Sequence, residues 1–187
     1  MNKRQSIPFI VLLLAFLLWL YFKPQSNVIE APKYQLNYII NGASNTHFDE
    51  TGNMEYKISA IKTTGLSDDD ITIFEHPKLT VYINDEKKDN LSVWQISSEK
   101  GILSKQSKLL LSDNVLVKNL TEDQLIQTME TEKLTILLDK KELNTDQLVT
   151  WKGPQMEQQG IGMWGSLVTE ELIVKDQIKA VYFNENK

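Results

Sequence analysis

Residues 53–60 read Asn-Met-Glu-Tyr-Lys-Ile-Ser-Ala, and from Met54 onward the polarity alternates at almost every step. Met54, Tyr56, Ile58 and Ala60 fall on one side; Glu55, Lys57 and Ser59 fall on the other. Successive side chains of a strand point to opposite faces, so a period of two predicts a strand with one dry and one wet face. The same alternation recurs with Leu79, Val81 and Ile83, with Trp94 and Ile96, and with Leu134, Ile136 and Leu138. Shorter apolar runs stand at 102–103, 109–111, 115–117, 148–151 and 180–183. Turn signals separate them: Glu50-Thr51-Gly52, Asn84-Asp85, Lys100-Gly101, Ser112-Asp113-Asn114 and Gly153-Pro154. Turn signals spaced by about 8–12 residues predict an all-β domain of antiparallel strands, a sandwich or an open barrel. The dry faces must then meet, as a packed core or as a lined groove.

One stretch is ambiguous. Thr121-Glu122-Asp123-Gln124 fits a capping box, and Leu125 and Met129 are spaced for a helix. The β surroundings, with Thr128 and Thr131, favour a strand over 121–131.

Ahead of this body, residues 7–22 read IPFIVLLLAFLLWLYF, a run of 16 without a charge. A spanning helix needs about 17–25 apolar residues, so the run is at the short edge. Pro8 suits a first helical turn, and Trp19, Tyr21 and Phe22 cluster where rings favour the interface. A cleaved secretory signal would end in small residues, whereas this run ends Trp19-Leu20-Tyr21-Phe22-Lys23-Pro24. The expected organisation is a cytoplasmic N-terminus at 1–6, a transmembrane anchor at 7–23, a tether at 24–33 and a periplasmic β-domain at 34–187. Lys3, Arg4 and the N-terminal amine favour that orientation, with the N-terminus in the cytoplasm, against the opposing charge of Lys23.

Composition narrows the chemistry. Of 187 residues none is cysteine, which excludes disulfides, thiolate nucleophiles and cysteine-bound zinc. Two histidines, His47 and His76, give little material for a metal site or a catalytic triad. Beyond Lys23 the chain carries 17 basic against 25 acidic side chains, a formal −8 that repels nucleic acid. Gly160-Ile161-Gly162-Met163-Trp164-Gly165 matches G-x-G-x-x-G. That fingerprint needs a following helix and a distant acid, for which no room remains. The glycines Gly160, Gly162 and Gly165, like Gly52, mark close backbone approach, a turn or a bulge. Asp68-Asp69-Asp70 reads as a solvated loop rather than an acid–base pair. No catalytic residue, metal site or cofactor is expected, so the chain is not read as an enzyme.

The order of these pieces resembles the LptC family of lipopolysaccharide export proteins. Gly52-Asn53-Met54-Glu55-Tyr56-Lys57-Ile58-Ser59-Ala60 is similar to its G-x-hydrophobic-x-Y-x-hydrophobic-x-A strand. Pro77-Lys78-Leu79, Trp94-Gln95-Ile96, Asn114-Val115-Leu116-Val117 and Gly160 to Leu167 follow in the family's order. The resemblance implies an open, twisted β-jellyroll of the kind found in LptA, preceded by one transmembrane helix. It implies lipopolysaccharide as the ligand, received from the inner-membrane LptB–LptF–LptG complex and handed to periplasmic LptA, with the ATPase in another subunit. A trough for acyl chains would be lined by Tyr56, Ile58, Leu79, Val81, Ile83, Trp94, Ile96, Ile136, Leu138, Ile161 and Met163. The resemblance puts the C-terminal edge, with Ala180, Val181, Tyr182 and Phe183, against LptA. The N-terminal edge, about 34–41, would meet the membrane complex. The alternative is an anchored β-domain that scaffolds or senses without carrying lipid.

Overall fold

The computed structural model describes residues 12–14, 16, 36–67, 70–85, 90–121 and 124–182. The expected anchor and tether fall almost wholly outside these residues. Leu12, Leu13, Leu14 and Phe16 are helical and exposed, and among the described residues no helix is long and apolar enough to cross a membrane. The chain divides into two units, 1–33 and 34–187, and the described strands belong to the second.

Among the described residues eleven antiparallel strands form a meander of rows. They are β1 (Leu36–Phe48), β2 (Met54–Leu66), β3 (Ile71–Glu75), β4 (Lys78–Asp85), β5 (Asn90–Ser97), β6 (Lys100–Ser104), β7 (Lys108–Asn119), β8 (Thr128–Leu137), β9 (Glu142–Gly153), β10 (Met156–Ser166) and β11 (Glu171–Tyr182). β3 and β4 lie end to end along β2, and β5 and β6 lie end to end against β7. Among the described residues β1 pairs only with β2, and β11 only with β10, so these two are the edges.

A crease crosses the rows near their middles. His76, at φ 49°, breaks β3 from β4 before Pro77. Asp113 and Asn114, both at positive φ, slip the register of β7 against β8. Further slips fall between Thr131 and Thr135 on β8 and between Ile161 and Met163 on β10. Gly162 sits there at φ 69°, a left-handed conformation that a Cβ disfavours. Hydrogen bonds continue through the crease, His76 N–H donating to Glu99 O at 2.7 Å and Glu99 N–H to Asp113 O at 3.0 Å. Bulges add a residue, bend the strand and increase its twist, so a line of them folds one sheet into two layers.

The fold-back is seen in contacts between distant rows. Glu55 at the start of β2 pairs with Lys141 after β8 at 3.0 Å. One ladder row of the first layer runs Ile58, Leu79, Ile96, Val117, Met129, Trp151. The second layer presents Phe74, Leu109, Leu111, Leu134, Ile136 and Leu143, and all twelve belong to one buried cluster. An all-β, jellyroll-like architecture therefore follows from the alternation. Several readings change, among them Lys100-Gly101, read as a turn signal, which opens β6. Ser112-Asp113-Asn114 is a bulge inside β7 rather than a turn between strands, and Thr121 and Gln124 to Gln127 lie outside any strand, with β8 beginning at Thr128.

Candidate functional site

At the end opposite the crease the two layers part, leaving a cavity of about 250 Å³. Trp94 of β5, Val117 of β7 and Met129 of β8 line it from the first layer. Leu143 of β9, Met163 of β10 and Leu172 of β11 line it from the second. Met156 closes one side, so three of the chain's five methionines meet in this space. Gly165 contributes wall without a side chain: a Cβ there would lie 3.5 Å from Glu171 O, an ordinary contact.

The rim is polar. Gln124 Nε2 donates to Glu170 Oε1 at 3.0 Å, joining the β7–β8 connection to the β10–β11 turn. Leu125, at 80% exposure, stands beside it. The backbone of this connection rests on Gly153, where a Cβ would collide with the Leu125 carbonyl oxygen. Gln127 N–H donates to Lys152 O at 2.8 Å and Asn119 N–H to Gln127 O at 2.8 Å, which pin its two ends.

A second hollow of about 500 Å³ lies along the same mouth, walled by Asp49, Asn53, Glu55, Tyr82, Asn84 and Lys141 among others. Asp49 accepts hydrogen bonds from the Thr51 hydroxyl and from the Thr51 and Asn53 amides, and the hydroxyl does most to hold its carboxyl below the usual range. Gly52, at φ 88°, completes that turn. Tyr56 stacks on His47, ring centroids 4.8 Å apart. Burial, and then the Glu55 charge, push its phenol above the ordinary tyrosine value.

The structure distributes the eleven predicted lining residues unevenly. Ile58, Leu79, Val81, Ile83, Trp94, Ile96, Ile136, Leu138 and Met163 are all buried in the common core, and Tyr56 packs against it half-buried. Trp94 and Met163 reach the cavity; Leu79 and Ile96, at 0% exposure, are sealed in packing. Ile161 lies on the opposite face, paired with the exposed Leu148, because the bulge at Gly162 shifts the alternation before Met163. Gly160 carries the close approach expected of it, since a Cβ would collide with Val174. Ala180, Val181 and Tyr182 lie on the exposed edge strand β11, whereas Phe183 is outside the described residues. Of the other predicted edge, 36–41 lies on β1. Val117, Met129, Leu143, Met156 and Leu172 were not among the predicted lining residues. Val117 and Met129 were legible as ladder partners once β5, β7 and β8 were known to be neighbours.

Gly160–Gly165 lies within β10, with strands on both sides. Among the described residues no group of three or more histidine, aspartate or glutamate side chains could hold a metal ion.

These features define a class: an all-β, jellyroll-like domain whose two layers separate around an apolar cleft. The model of the lipopolysaccharide-assembly, LptC-related family matches residues 9–183. The lipopolysaccharide export system protein LptC of Haemophilus influenzae is 26% identical, over 97% of this chain and 95% of its own. LptC of Escherichia coli K12 is 24% identical, over 75% of this chain and 71% of its own. The chain belongs to the LptC-related family of lipopolysaccharide-assembly proteins.

Proposed function

We propose that this chain is a lipopolysaccharide export subunit that shields acyl chains in the cleft between its layers. In this reading residues 7–23 anchor it in the inner membrane, with the N-terminus cytoplasmic and the β-domain periplasmic. It receives lipopolysaccharide from the LptB–LptF–LptG complex and hands it to LptA. It has no catalytic role and needs no cofactor.

The cavity lined by Trp94, Met129 and Met163 carries the proposal. A twelve-carbon acyl chain costs on the order of 10 kcal/mol to expose to water, at about 0.8 kcal/mol per methylene. Only an apolar surface offsets that. Unbranched, polarizable methionines adapt to a flexible chain better than branched residues do. The sugars and phosphates would stay in water, which reconciles an acidic domain with an anionic lipid.

Photocrosslinking tests this. A benzophenone amino acid at Trp94 or Met129 is expected to trap lipopolysaccharide in cells, and one at Leu116, on the outer face, is not. Equal labelling from all three positions, or none, overturns the cleft as the site. The tight packing of Leu79, Ile96, Leu109 and Leu111 favours the second reading, a scaffold with a filled core. The same crosslink separates the two, since only a carrier traps lipopolysaccharide from Trp94.

A further inference from the structure

A cavity of about 250 Å³ falls below the ~300–1,000 Å³ of pockets that enclose a drug-sized ligand. It suits part of one acyl chain, not a whole multi-chain lipid. To take more, the layers must part further at the mouth, because at the crease end backbone hydrogen bonds link His76, Glu99 and Asp113 across the rows. Whatever joins the two layers at the mouth therefore limits loading.

The ion pair of Glu55 with Lys141 is such a joint. Glu55 is the extra residue of a bulge: His47 pairs with Tyr56 and Phe48 with Met54, leaving Glu55 no opposite residue on β1. This frees its carboxylate from strict alternation and lets it meet Lys141 at 3.0 Å, both side chains about four-fifths buried. Lys141 belongs to the other layer, and its backbone is held on two sides. Its N–H donates to Leu138 O at 3.3 Å, and its carbonyl accepts from Leu167 N–H at 3.0 Å. His47, 3.6 Å from the second Glu55 oxygen and stacked on Tyr56, steadies the carboxylate from the first layer. A charge-assisted contact this shielded from water keeps its strength, and separating its partners leaves two charges to be resolvated.

We propose that the Glu55–Lys141 pair is a clasp that holds the two layers together at the mouth in the lipid-free protein and opens when an acyl chain enters. The loading half of this statement rests on the reading of the cleft as the lipid site.

Because the chain has no cysteine, a spin-label pair can be placed cleanly with Glu50→Cys on the first layer and Lys140→Cys on the second. In the 187-residue chain without lipid, pulsed electron resonance should give one narrow distance. Glu55→Gln and Lys141→Met should each broaden it and lengthen it by roughly one strand spacing, about 5 Å. The double exchange Glu55→Lys with Lys141→Glu should restore the narrow distance, which a variant that merely misfolds could not do. Added lipopolysaccharide should lengthen the distance in the unsubstituted background. An unchanged distance in both single variants overturns the clasp. Lipid that crosslinks at Trp94 while the distance stays fixed overturns its opening and leaves the cleft intact. Absence of any crosslink from Trp94, with the distance still lengthened by Glu55→Gln, removes the lipid reading and keeps the joint.

Discussion

At Gly165 the feature that matters is a side chain the residue lacks. It is buried, it faces the cleft, and an added Cβ meets only an ordinary contact with Glu171 O. Gly165→Ala should therefore leave crosslinking from Trp94 close to wild type. Gly165→Leu should fill the hollow and remove most of the crosslink, with a stability change within about 1–3 kcal/mol, the range of modest overpacking. Both are read by pairing the crosslink assay with a denaturant melt. Gly162 differs in kind. Its positive φ is a backbone requirement, and it decides that Ile161 and Met163 occupy opposite faces. Two residues that look equivalent in a period-two reading thus separate because one bulge intervenes.

At the scale of the element, the edges carry the clearest expectation. β11 is long, and its residues from Asp176 to Tyr182 are exposed. An unpaired edge of this length invites pairing with another strand, the mode by which sheets extend between chains. Substituting Val181→Pro removes one N–H donor at that edge. We expect loss of co-purification with LptA, while stability moves by no more than about 1 kcal/mol, since an exposed position has little packing to lose. Retained co-purification would refute this edge as the docking strand. β7 teaches a related lesson. Leu109 to Leu111 and Val115 to Val117 looked like two runs around a turn, yet they form one strand, since a positive-φ pair can bend a ladder without ending it.

For the whole molecule, the division between packing and function can be measured. Leu79 and Ile96 sit at 0% exposure in the first layer's core, whereas Trp94, at 9%, borders a cavity. Ile96→Ala should cost about 2–5 kcal/mol, as large-to-small changes in packed cores do. Trp94→Ala should fall near the lower end for an aromatic truncation, about 3 kcal/mol, since part of its surface already faces empty space. Urea unfolding of the two variants ranks them, and equal losses would argue that the cavity wall is packed as tightly as the rest.

The sequence by itself determined the all-β class and the alternation along β2, β4, β5 and β8, because alternation is a local property and burial of each dry face is obligatory. Family membership was equally legible, since the order of Gly52 to Ala60, Trp94 to Ile96 and Gly160 to Leu167 survives in the chain without any coordinates. Only the tertiary structure decided which buried residues line a space and which fill one. Leu79 and Trp94 carry the same signal in the sequence, but the folding of the meander along its crease packs one against the opposite layer and leaves the other beside a gap. Glu55 and Lys141 meet for the same reason: rows far apart in the sheet become neighbours when the layers close, and no spacing along the chain records that distance.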